Sequence, residues 1–205
     1  MEFLDYDKYF DGLKEELENL KYTTQITNSI KLYTKKFFEK DTDKKVFYSD
    51  SKTKEFMYDI SVLTFDPINV IEKTTANKFK VSTNANKFKV STNINKFKAF
   101  LLLESELGGT SASGPKGVFK NSMQDFSKLL IGNSPYKIMI MGLSPYSDEK
   151  ENFIKNRIEI IEQVYKSSDC NSNIGLIIIQ GKHEGEISRQ LKLETDKMYF
   201  KLLEK

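Results

Sequence analysis

Hydrophobic positions along the chain change period several times, and each change marks an element. Between residues 5 and 20, Tyr9, Leu13, Leu17 and Leu20 form one stripe among acids and lysines, which predicts an amphipathic helix. Ile26, Ile30, Tyr33 and Phe37 predict a second helix from about Thr24 to Glu39. DTDKK (41–45) reads as a turn and VFYSD as a short strand. In EFMYDISVLTF (55–65) alternation places Met57, Asp59, Ser61 and Leu63 on one side of a strand, and Asp66-Pro67 stops it. In KFKAFLLLESELGG (96–109) a bulky apolar run ends in Glu104 and Glu106. Their i, i+2 spacing puts both carboxylates on one face of a strand.

The second half alternates more regularly. GGTSASGPKG (108–117) reads as a flexible loop. A helix is expected at about 118–131, burying Val118, Phe119, Met123, Phe126, Leu129 and Leu130. YKIMIMGL (136–143) and NIGLIIIQG (173–181) are continuously apolar, as strands covered on both faces are. Between them SDEKENFIKNRIEIIEQVYKSS predicts a helix from about Asp148, with Phe153, Ile154, Ile158, Ile161 and Val164 inward. The tail LKLETDKMYFKLLEK predicts a final edge strand with a frayed end. Helix, three strands, helix, strand, helix, strand is the order of an α/β protein: a single domain over 1–205 with a central mixed β-sheet flanked by helices.

One stretch breaks the pattern. Residues 76–98 hold a nine-residue repeat, ANKFKVSTN twice and then INKFKAF, with NKFK starting at Asn77, Asn86 and Asn95. Too few copies are present for a solenoid. Removing two of them leaves a strand-loop-strand connection, so a duplicated hairpin or loop insertion at about 73–95 is the favoured account. The functional alternative is a basic arm: Lys73, Lys78, Lys80, Lys87, Lys89, Lys96 and Lys98 face one acid, Glu72, and the interleaved phenylalanines suit contact with nucleic acid.

Composition excludes more than it assigns. With 39% hydrophobic and 30% charged residues and a net charge of +3, the chain is that of a soluble protein whose charge alone does not announce a nucleic-acid binder. No apolar run approaches the ~20 residues of a membrane span, and the acidic start MEFLDYDKYF is unlike a signal peptide, so no membrane association and a cytoplasmic location are expected. The single cysteine, Cys170, excludes an internal disulfide and a cysteine-based zinc site. The single histidine, His183, removes most zinc-hydrolase and Ser-His-Asp chemistry. His183 reads as a surface residue in a GKHEGE turn, and Cys170 as a loop or strand-edge residue. GTSASGPK (109–116) imitates a phosphate-binding loop but lacks the Gly-Lys-Ser/Thr adjacency.

Carboxylates, lysines and hydroxyls remain for chemistry. Asp59, Glu104 and Glu106 in strand-like runs are costly unless something positive sits among them. Carboxylate oxygens without His or Cys suit Mg²⁺ or Mn²⁺. The bland alternative leaves these acids solvated at strand exits.

An αβββαβ order, Tyr58-Asp59 in the second strand, Glu104-Ser105-Glu106 in the third and the helix segment Asp125-Phe126-Ser127-Lys128-Leu129-Leu130 together resemble the PD-(D/E)xK, restriction-endonuclease-like nuclease superfamily over roughly residues 24–143. The usual Lys is Glu106 here, a Glu-x-Glu variant. The resemblance implies that Asp59 and Glu104 bind Mg²⁺ (or Mn²⁺) with the Ser105 carbonyl. It also implies that Glu106 holds a second metal or accepts a proton from water, and that Lys128 offsets the negative charge, with Lys116 and Lys120 as weaker choices. Glu39 is the candidate acid from the first core helix. Two functions follow: a Mg²⁺-dependent endonuclease hydrolysing DNA phosphodiester bonds, or a non-catalytic nuclease-fold module that binds DNA or protein. Homodimers are common among nucleases of this fold, and nothing in the sequence fixes one.

Overall fold

The computed structural model describes residues 3–40, 44–49, 58–64, 99–108, 114–146, 149, 152–183 and 191–205. The repeat, Met57 and the first three residues of the predicted turn at 41–45 lie outside the described residues. Among the described residues, ten elements follow one another: α1 Tyr6–Leu17, α2 Thr23–Phe38, β1 Lys45–Tyr48, β2 Ile60–Leu63, β3 Ala99–Glu106, α3 Gly114–Ile131, β4 Tyr136–Leu143, α4 Phe153–Lys166, β5 Ile174–His183 and β6 Leu191–Leu203. The six strands make one sheet in chain order. β1, β2 and β3 run antiparallel, β3, β4 and β5 run parallel, and β6 returns antiparallel. The protein is therefore α/β, with a six-stranded mixed sheet flanked by helices. No helix among the described residues is long and apolar enough to cross a membrane.

Alternation in the central strands assigns the two cores. Leu101, Leu103, Ile138, Ile140, Ile177 and Ile179 pack under α1 and α2 with Tyr9, Leu13, Ile26 and Ile30. Leu102, Met139, Met141, Leu176 and Ile178 pack under α3 and α4 with Phe126, Leu129 and Ile161. Both faces of β3, β4 and β5 are thus covered, which is why these strands read as continuous apolar runs.

Several boundaries differ from the expectation, each for a local reason. α3 starts at Gly114 instead of about 118, because Pro115 fits a first helical turn, where its missing N–H has no partner to lose. α4 starts at Phe153, not about Asp148: its N-cap, Asn152, adopts a left-handed conformation with φ 83°. Two described residues before it, Tyr146 and Glu149, are tied to each other and to the helix. Glu149 Oε2 accepts from the Tyr146 backbone N–H at 2.8 Å and from Arg157 at 2.7 Å, while the Arg157 guanidinium lies 3.9 Å from the Tyr146 ring centroid. Gly181, Lys182 and His183 belong to the end of β5, not to a turn. β6 runs unbroken to Leu203, and the two residues after it, Glu204 and Lys205, are both hydrogen-bonded, so the expected frayed end is not seen.

One glycine shapes the sheet end where the acids lie. A Cβ on Gly142 would stand 3.0 Å from the Leu107 carbonyl oxygen and 2.9 Å from Leu193 Cδ2, so this position must stay bare for the chain leaving β3 to lie close beside β4. Gly142→Val should therefore destabilise the fold by about 1–3 kcal/mol, read as a lower midpoint in urea with an unchanged slope. An unaltered midpoint would show that Leu107 moves aside freely.

Candidate functional site

The acids gather at the C-terminal end of β3, the strand in the middle of the antiparallel-to-parallel transition. Leu102 and Glu104 alternate onto the α3 face, and Glu104 is 1% exposed, opposite Met139 in the neighbouring strand. Desolvation is consequently its largest influence. Together with the nearby Asp59 charge it pushes the Glu104 carboxyl from 4.5 up to about 8, against an opposing pull from Lys128. Lys128 Nζ lies 3.4 Å from Glu104 Oε1, yet that oxygen has no hydrogen-bond donor among the described residues. The approach is off-line, so charge is offset while the lone pairs stay open.

Lys128 is half exposed and reaches the site from the last turns of α3. Its closer partner is Asp125 Oδ1, at 2.7 Å and one turn earlier. Burial lowers the Lys128 pKa, but the Asp125 hydrogen bond and the Glu104 and Asp125 charges outweigh it and hold the ammonium above its ordinary value. Tyr58 closes this side: its hydroxyl donates to the Lys128 carbonyl at 3.3 Å, and burial and the Glu104 charge raise its pKa.

Asp59 is not within a strand, as the alternation suggested. It occupies a bend immediately before β2, and its Oδ2 accepts from the Ser105 N–H at 2.7 Å and the Ser105 Oγ–H at 2.9 Å. The carboxylate thereby takes the backbone donor of β3 just beyond the last β2 pair, Ile60 with Leu103. Glu106 is half-buried and turns back on its own chain, with Oε1 accepting from the Gly108 N–H at 2.8 Å. It lines a groove of about 320 Å³ with Ser105, Thr24 and Asn28.

The structure thus brings Asp59, Ser105, Glu104 and Lys128 together, while Glu106 is bonded to Gly108 and borders the groove shared with α2. Among the described residues no three acid, imidazole or thiol side chains form a ready-made metal cluster. Glu39 does not join: the start of α2 meets the end of β3, whereas Glu39 caps the opposite end of that 16-residue helix and pairs with Lys35 at 3.4 Å. At 1.5 Å per residue, α2 spans roughly 24 Å. Lys116 is engaged elsewhere, 5.4 Å from the Tyr146 ring centroid. Asp125 and Tyr58, quoted in the resembling segments without a role of their own, also contact the site; for Asp125, its i, i+3 spacing to Lys128 was the available signal.

No family model, characterised protein or solved structure matches the chain. The residues themselves must carry the reading.

The donor set fits a hard divalent cation in chemistry. Glu104 Oε1 is a buried oxygen without a donor, and Asp59 contributes a second carboxylate close enough to raise the Glu104 pKa. Glu106 would have to leave Gly108 to take part.

Glu104 also makes stability depend on pH in a fixed direction. Its folded pKa lies above its unfolded value, so the native state binds the extra proton between 4.5 and about 8. Stability should fall as pH rises through that window. Melting temperatures of the wild type should decline across it, and Glu104→Gln should flatten the decline and melt higher at its alkaline end. Parallel profiles for the two proteins would remove Glu104 as the cause.

Proposed function

We propose that this protein is a Mg²⁺-dependent phosphodiesterase of the restriction-endonuclease-like kind, acting on DNA through Asp59, Glu104 and Glu106. One observation carries the reading: a buried glutamate at the end of a central strand, with an oxygen that no donor satisfies, flanked by a second carboxylate and a lysine. Such a group is costly as a purely structural element. The order α2-β1-β2-β3-α3-β4 supports it further, since it is the αβββαβ order that the resemblance implies. Mn²⁺ would serve in place of Mg²⁺.

Glu104 and Asp59, with the Ser105 carbonyl, would hold the ion. Bound there, it would polarise the scissile phosphate and lower the pKa of an attacking water. Glu106, once released from Gly108, accepts that water's proton or serves a second ion. Lys128, 3.4 Å from Glu104, offsets the acids' negative charge and would meet a phosphate oxygen brought to the ion. Because the Glu104 proton must leave first, affinity for the cation rises with pH.

A second reading has its own observation. Asp59 is tied by two Ser105 donors and Glu106 by the Gly108 N–H, as in a non-catalytic module whose acids close the sheet end. Titration with Mg²⁺ or Mn²⁺ separates the two. The phosphodiesterase reading expects millimolar metal to raise the melting temperature by mass action, plasmid DNA to be nicked, and both effects to vanish in Asp59→Asn and Glu104→Gln. Metal that leaves stability unchanged would favour the module.

Lys128→Met supplies a finer test. Its side chain is half exposed, so the fold should persist while cleavage falls at least tenfold, a barrier change of about 1.4 kcal/mol. Full activity in this variant would reduce Lys128 to a helix-surface residue.

A further inference from the structure

A second buried reactive pair lies on the β5 side of the same core, and its argument does not depend on the phosphodiesterase reading. Lys137, near the start of β4, is 2% exposed, and Cys170, between α4 and β5, is 4% exposed. Lys137 Nζ donates to Cys170 Sγ at 3.1 Å, the one hydrogen bond of that amine among the described residues. Both residues are fixed by their backbones. The Lys137 N–H donates to Tyr6 Oη at 3.2 Å, and Tyr6 Oη in turn donates to the Asn173 carbonyl at 3.0 Å. The Cys170 N–H donates to Ser168 Oγ at 3.3 Å, and Tyr165 Oη donates to the Ser172 carbonyl at 3.1 Å. An amine buried with a sulfur as its partner is a poor electrostatic arrangement but a good reactive one, since nitrogen and sulfur already sit at near-attack distance.

We infer that Lys137 and Cys170 form a modification site at which peroxide drives a covalent nitrogen–sulfur cross-link between β4 and the loop before β5. The Cys170 sulfur attacks hydrogen peroxide, the O–O bond breaks, and sulfenic acid and one water result; sulfur is oxidised by two electrons and peroxide is reduced. The Lys137 amine, having released its ammonium proton to solvent, then attacks the sulfur. The S–O bond breaks, hydroxide leaves and takes a second proton from the nitrogen to become water, and a sulfenamide remains. With no second cysteine in the chain, no internal thiol competes with the Lys137 amine, which lies 3.1 Å from the sulfur.

The test treats the full-length folded protein with hydrogen peroxide, digests it without reductant and maps the peptides by mass spectrometry. The expected product joins the Lys137 and Cys170 peptides with two hydrogens fewer than their sum, has no free thiol, and reverts with dithiothreitol. The same treatment in denaturant should give no cross-link, and Lys137→Met should instead yield a sulfenic acid trapped by dimedone. The native-against-denatured comparison stands even if that variant fails to fold. A native protein whose Cys170 stays reduced, or is oxidised to sulfenic, sulfinic or sulfonic acid without the cross-link, overturns the inference. A cross-link heavier by one oxygen overturns the sulfenamide assignment.

Discussion

Burial of one carboxylate organises this end of the molecule. Glu104 sits where β3 passes from its antiparallel neighbour β2 to its parallel neighbour β4, under α3 on one face and behind a leucine-rich layer on the other. A charge there loses its water and gains one off-line ammonium in exchange. The cost appears as a carboxyl that keeps its proton far above the usual range. Everything nearby bears on that cost: Lys128 and Asp125 on α3, Tyr58 over the helix end, and Asp59 fastened to the next residue of the strand.

That arrangement also orders the chemistry. On the proposed reading a proton and a divalent cation would compete for the same oxygen, with the Lys128 charge acting on both. Asp59 and Glu106 have alternative partners in Ser105 and Gly108, so a bound cation would exchange hydrogen bonds within the site for coordination. The groove beside Glu106, walled by hydroxyl and amide side chains of α2, borders the same strand end.

Much of this was legible in the chain, and the failures have physical causes. The i, i+4 stripes of Ile26–Ile30 and Phe126–Leu130 and the unbroken run of β4 reported packing on one or both faces, so helix and strand identities followed. Asp59 was placed inside a strand because all four residues of β2 are buried, and a run with no exposed face gives alternation nothing to register. Pro115 and the glycines around it read as loop although they begin α3. The spacing of Glu104 and Glu106 predicted a shared face, but not that Glu106 would bend back to Gly108, because short backbone contacts at a strand exit leave no periodic trace. Glu39 failed for a topological reason: sequence alone does not say which end of α2 meets β3. The Lys137–Cys170 contact joins residues 33 positions apart, beyond any local pattern.

The central claim is that Glu104 is a desolvated carboxyl held ready for a cation. Carbon-detected NMR of the side-chain carboxyl, followed through a pH titration with and without Mg²⁺, measures it directly. The account predicts a Glu104 midpoint near 8 without metal and a marked fall in that midpoint when Mg²⁺ is added, as the ion displaces the proton. A midpoint in the ordinary carboxylate range of about 4, unmoved by Mg²⁺, would contradict it.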